Sequence, residues 1–248
     1  MRTNLRCIRC LSFLVTIFLL VAPAAVRAEQ RLTIAAGAGY KRLVEELCTS
    51  YTNKTGVPVN KVFGNMGQIT AQAQESGAID FIMGDKTYLD SSKLLFAEEL
   101  ILGRGKLVAA AAKGTKIKNL DALTESSVQR IAIADSEKAI YGHAAREFLT
   151  ARGIWQQIQP KLLVVGTVPQ VTAYLLTGEI DIGFINLTEA LAIKDKVEIL
   201  FTIDEKLYSP ILIVAKQLQQ STNIEAGASL VAFLQSEQAQ TLLKKQGL

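Results

Sequence analysis

The stretch "RLTIAAGAGYKRLVEEL", Arg31 to Leu47, reads as a short apolar strand that runs through a glycine-containing turn straight into a helix. A strand that passes into a helix without a polar loop opens a βαβ unit, and such units build parallel sheets. The turn itself is bare. Gly37, Ala38 and Gly39 carry almost no side chain, so whatever approaches this helix N-terminus meets backbone N–H groups and the positive end of the helix dipole.

The same alternation continues outward. VPVNKVFG reads as a strand, QITAQAQESG as a helix and IDFIMGD as a strand; then follow LILGRGKLVAAAAKG, the strand RIAIAD, the helix GHAAREFLTARG, the strand KLLVVG, the helix VPQVTAYLLTGE and the strand IDIGFI. YSPILIVAK reads as a further strand and GASLVAFLQSEQAQTLLKKQG as a closing helix pair. Gly56 and Gly77 fit the positions just past the first two helices. "SGAIDFIMGD" (Ser76 to Asp85) and "TGEIDIGFIN" (Thr177 to Asn186) repeat one order of helix, glycine, Ile-Asp step and buried strand. The chain therefore predicts an α/β protein of two similar lobes: 29–104 as the first part of lobe 1, 105–208 as lobe 2, and 209–248 as the return to lobe 1. LILGRGKLVAAAAKG and LYSPILIVAK would be the crossing strands.

Residues 1–28 predict a secretory signal peptide, with Arg2, Arg6 and Arg9, an apolar run from Leu11 to Val21, and cleavage after Ala28. The apolar run is about half the ~20 residues needed to span a bilayer. Cleavage leaves 220 of the 248 residues and removes four arginines, so 23 Lys plus Arg face 23 Asp plus Glu. A neutral mature chain has no global field for nucleic acid or anionic lipid, and any anion binding must be local. Cys48 is the one cysteine of three that remains. It predicts a buried packing residue rather than a disulfide or reactive thiol.

Catalytic constellations are scarce. The mature chain has one histidine, His143, and lacks HExxH, CxxC, GxSxG and a phosphate-loop lysine. No metal, cofactor or catalytic residue is expected. The GAG of Gly37 to Gly39 lacks the third glycine of a dinucleotide fingerprint, Arg42 standing in its place. What remains is a set of four turns, each delivering a helix N-terminus: Gly37–Gly39, Gly64–Gly67, Ser136–Gly142, and Thr167–Val168. Placed at the carboxyl ends of strands, two per lobe, they would converge on one cleft and hold an anion on backbone amides.

The order of motifs resembles the periplasmic molybdate-binding proteins of ABC transporters, within the type II solute-binding superfamily. The resemblance rests on TIAAGAGYKRLVEELCTSYTNKTGVPV, FGNMGQITAQAQESGAIDFIMGD, AIADSEKAIYGHAAREFLTARGIW, VTAYLLTGEIDIGFIN and FLQSEQAQTLLKKQGL, of which TGEIDIGFI is the most specific. It implies a two-lobed type II periplasmic binding fold, each lobe a mixed sheet flanked by helices and joined by two crossing strands. It also implies capture of a small oxyanion such as molybdate or tungstate, delivery to a membrane permease, and a monomer. The site it implies is Ala38 or Gly39 in the first turn, Met66 or Gly67 in the second, the amides of Tyr141 and Val168, and Asn186 at the place of a tyrosine. The family's two hydroxyl residues and its tyrosine are absent, which removes bonds of ~1.5–3 kcal/mol each. Tyr40, Asn65, Gln68 and Asn186 stand as replacement donors, suited to a different or larger anion. Relatives in this superfamily serve as adhesins or sensors for sulfate or small carboxylated or phosphorylated anions. A secreted hydrolase would have to use His143.

Overall fold

The computed structural model describes residues 31–248; the expected signal peptide lies outside them. In chain order the first elements are β1 (Leu32–Gly37), α1 (Lys41–Thr55), β2 (Val59–Gly64), α2 (Met66–Ser76), β3 (Phe81–Asp85), α3 (Lys86–Asp90), β4 (Phe96–Gly105) and β5 (Leu107–Ala111). They are followed by β6 (Ile131–Ala134), α4 (Ile140–Ala151), α5 (Trp155–Ile158), β7 (Leu162–Val165), α6 (Val168–Thr177), β8 (Ile182–Asn186) and α7 (Leu187–Ile193). The chain closes with β9 (Ile199–Thr202), β10 (Ile211–Leu218), α8 (Ile224–Leu234) and α9 (Glu237–Lys245). Gly56 (φ 74°) and Gly77 (φ 61°) end α1 and α2 in the left-handed conformation that glycine adopts without a Cβ clash.

Two five-stranded sheets carry the same plan, in the orders β2-β1-β3-β10-β4 and β7-β6-β8-β5-β9. In the first, β1 pairs parallel with β2 and β3, and β10 runs antiparallel between β3 and β4. In the second, β6 pairs parallel with β7 and β8, and β5 runs antiparallel between β8 and β9. The antiparallel strand of each sheet is thus the one that arrives by a crossing. β4 hands over to β5 between Gly105 and Leu107, and the chain returns after β9 at β10.

Strands covered by helices on both faces should be apolar throughout rather than alternating. β5, β6 and β8 are buried at every position, and so is β3. α1 packs Leu43, Val44, Leu47, Cys48 and Tyr51 inward, where each large side chain contributes ~1.5–3 kcal/mol of burial. Burial pushes the Cys48 thiol up to about 12, so it stays protonated and inert. Trp155 is half-buried against the core, with the Arg146 guanidinium 5.7 Å from its ring centroid. The short elements α3, α5 and β9, and α7, carried too little pattern to be expected from the sequence.

Candidate ligand-binding cleft

The carboxyl ends of β1 and β2 face those of β6 and β7 across a cavity of about 20 Å³. Its walls are residues 37–40, 64–66, 139–141 and 167–168, one set from each of the four glycine-rich or small-residue turns. These turns lead into α1, α2, α4 and α6, helices of 10 to 15 residues whose first N–H groups have no partner within the helix. Among the described residues no charged side chain belongs to the walls. The positive character of the site comes from four converging helix dipoles alone. A volume of this size holds a water or so, and a tetrahedral oxyanion requires the walls to part slightly.

Seven of the ten sequence-nominated residues line this cavity: Ala38, Gly39, Tyr40, Asn65, Met66, Tyr141 and Val168. Gly67, Gln68 and Asn186 do not. The Gly67 amide donates to the Lys138 carbonyl at 3.4 Å. Gln68 turns its side-chain oxygen back to the Asn65 amide (2.9 Å) while its own amide donates to Asn65 Oδ1 (2.9 Å), a reciprocal cap on α2. Asn186 is fully buried behind Gly39, with Nδ2 donating to the Gly39 carbonyl at 2.9 Å.

The polar side chains expected as anion donors already have protein partners in this structure. Asn65 Nδ2 donates to the Gly166 carbonyl at 3.1 Å, and the Tyr40 and Tyr141 hydroxyls bond each other. With Asn186 behind them, these groups connect one sheet to the other, and Asn65, Tyr40 and Tyr141 do so from the cavity walls. Tyr141 also lies in the first turn of α4 and not in a loop. Burial raises both phenols well above the ordinary tyrosine value, so the pair stays neutral. Beneath it lies the crossing: a Cβ on Gly105 would sit 2.8 Å from Tyr40 Oη and closer still to Tyr141 Oη. Further links are Arg42 Nε to Glu189 (3.4 Å) and Arg104 to Glu205 (2.9 Å).

Near the cleft, Asp135 accepts the amides of Glu137 and Lys138 (2.9 Å each), and Lys106 approaches Glu205 at 3.9 Å. His143 is largely exposed, with Nδ1 3.3 Å from the Ser136 carbonyl oxygen and Nε2 3.5 Å from Glu147. Ala139 and Ile140 were not singled out in the sequence, since nothing in EKAIYG distinguishes the two residues that reach the cavity.

The profile of the bacterial extracellular solute-binding proteins matches residues 32–248, which is every described strand and helix. The chain belongs to that family. This solute-binding protein is 25% identical to the molybdate-binding protein ModA of Rhodobacter capsulatus, over 92% of each chain. It is 33% identical to a putative binding protein of Haemophilus influenzae, covering 68% of this chain and 71% of that one. Its fold matches the periplasmic molybdate-binding protein of Azotobacter vinelandii with a TM-score of 0.80 at 20% identity, over 87% of this chain and 97% of that one. It also matches PEB3 with L-phospholactate bound, with a TM-score of 0.66 at 17% identity over 87% and 98%. The expected two-lobed type II architecture is the fold of these neighbours. Among the described residues no helix is long and apolar enough to cross a membrane.

Proposed function

We propose that this solute-binding protein works in the periplasm, after removal of residues 1–28, where it captures a small oxyanion of the molybdate or tungstate type and presents it to an ABC permease. The observation that carries this reading is the meeting of four helix N-termini from both sheets around one cavity whose walls hold no charged side chain. Backbone amides can accept a dianion without a counter-charge because each helix end supplies partial positive charge and oriented donors. Residues 29–104 with 209–248 and residues 105–208 would move as two lobes. An anion that bonds to both favours the closed form by its difference in contacts. The match to ModA supports molybdate as the first ligand to try; the bound L-phospholactate of PEB3 supports keeping organic phosphates beside it.

Thermal unfolding of the dialysed mature protein with molybdate, tungstate, sulfate, phosphate and citrate tests this. At a hundred times its dissociation constant a ligand stabilises by about 2.7 kcal/mol, which raises the Tm of a domain this size by roughly 5 to 10 °C. A shift with at least one tetrahedral anion is the expected outcome. Flat curves for every anion would overturn the reading.

A further inference from the structure

A second cavity, of about 280 Å³, opens beside the first and shares Ala139 and Ile140 with it. The Ile140 side chain forms the partition: its Cδ1 lies 3.7 Å from where a Cβ on Gly37 would stand. The far walls come from both sheets and from the returning crossing, with Asp85 and Tyr88 on one side, His143 and Glu147 on the other, and Ser209 between them.

The two cavities have opposite chemistry. The first presents helix N-termini. The second is bounded by three carboxylates, Asp85, Glu137 and Glu147, with no lysine or arginine among its described walls. Glu137 is paired with Arg146, and Glu147 accepts the amide (2.8 Å) and hydroxyl (2.6 Å) of Ser209. Asp85 differs from both: it is only 8% exposed, lines the cavity, and has no cationic partner within ion-pair distance among the described residues, Oδ1 accepting the Tyr88 amide at 2.8 Å. A carboxylate so buried favours an incoming cation that is itself leaving water.

We propose that the cleft takes a zwitterionic oxyanion ester, an aminoalkyl phosphate in type, with its phosphate among the four helix N-termini and its ammonium beyond Ile140 at Asp85. The proposal rests on the oxyanion reading above and narrows its ligand class. Bare tetrahedral anions would occupy the first cavity only. The ester's tether passes the Ile140 side chain, which must swing aside.

Titration calorimetry with molybdate, inorganic phosphate, ethyl phosphate and phosphoethanolamine separates the two readings. Phosphoethanolamine is expected to bind about tenfold or more tighter than ethyl phosphate, the same ester without the terminal ammonium group. Asp85→Asn keeps a side chain able to cap α3 and is expected to erase that advantage while leaving ethyl phosphate affinity unchanged. Equal affinity for the two esters in the wild-type protein would overturn the proposal without any variant, as would an advantage that survives Asp85→Asn. Binding of molybdate with neither ester would overturn it and leave the oxyanion reading standing. Binding of none of the four would overturn it, and flat thermal curves with tungstate, sulfate and citrate as well would remove the oxyanion reading too.

Discussion

Asp85 and Asn186 hold the same place in the two sheets, the last residue of β3 and of β8, and they turn in opposite directions. Asp85 stays at home and caps α3, whereas Asn186 makes no cap to α7 and donates across the cleft to Gly39. The chemistry of the head group explains the difference. A carboxylate is acceptor-only and seeks N–H groups, while an amide can donate to a carbonyl. The turns before α2 and α6 diverge likewise. Gly64-Asn65 is followed by Gln68 and Gly166-Thr167 by Gln170, each glutamine bonding back to the residue at the helix start. Asn65 has a spare amide that reaches Gly166 in the other sheet; a threonine has no such second group. Two copies of one plan are therefore joined in part by positions at which they are chemically unlike, beside the like pair Tyr40 and Tyr141.

The sharpest way to break this correspondence is at the helix starts. A methyl on Gly142 would press into the carbonyl oxygens of Ala134 and Asp135, which are backbone and cannot give. Gly142→Ala is expected to cost about 3 kcal/mol, read as a lowered urea midpoint. In the first turn, a methyl on Gly39 meets the Asn186 side chain at 3.0 Å, which can shift, so Gly39→Ala should cost about 1 kcal/mol. Equal losses would show that the two turns are not differently constrained.

The paired Ile-Asp steps come next. Asp80 is 4% exposed and accepts from the Thr33 amide (2.7 Å), Ser221 Oγ (2.6 Å) and Asn223 Nδ2 (3.0 Å). Asp181 accepts from the Gln129 and Arg130 amides at 2.7 and 2.8 Å in a more open setting. Asp80→Ala removes the acceptor of three donors, one buried and two half-buried, and should destabilise by about 3 kcal/mol, against about 1–2 kcal/mol for Asp181→Ala. At the caps, Asn65→Ala should lose about 1–2 kcal/mol, combining a cap with a link between sheets, and Thr167→Ala less than about 1 kcal/mol. Chemical denaturation of the four variants orders them.

The smallest effect concerns pH. Burial holds the Asp85 carboxyl above its ordinary value. The unfolded chain then releases its proton first as pH rises from about 3.9. The stability this group lends is full below that point and is lost as pH climbs through the higher folded value. Asp85→Asn retains a capping side chain and should flatten that part of the pH–stability curve. An unchanged slope in urea titrations across the acid range would show that Asp85 does not titrate as its burial requires.

Much of this was legible in the chain. LTIAAG running into YKRLVEEL placed β1 and α1, the glycines at 56 and 77 placed two helix ends, and SGAIDFIMGD with TGEIDIGFIN announced a repeated unit. Local pattern was enough because strand, turn and helix are each encoded within about ten residues. The Ile-Asp repeat was visible, but the partners of its carboxylates were not, since Thr33 and Ser221 stand 47 and 141 residues from Asp80. The site was readable as four bare turns. The distant partners of its polar side chains were not readable, because Asn65, Asn186, Tyr40 and Tyr141 look the same in sequence whether they face a ligand or another lobe.

The sequence by itself determined an α/β chain with two related halves, its helix termini, a buried thiol and turns too small to hide their backbone, because all of these follow from local residue type and periodicity. Only the tertiary structure decided that Tyr40 meets Tyr141 over Gly105, that Asn65 and Asn186 spend their amides between sheets, and that Ile140 divides an anion-favouring cavity from an acidic one. Those contacts join residues about a hundred or more positions apart, and a hydrogen-bonding group carries no local mark of which distant partner folding will bring to it.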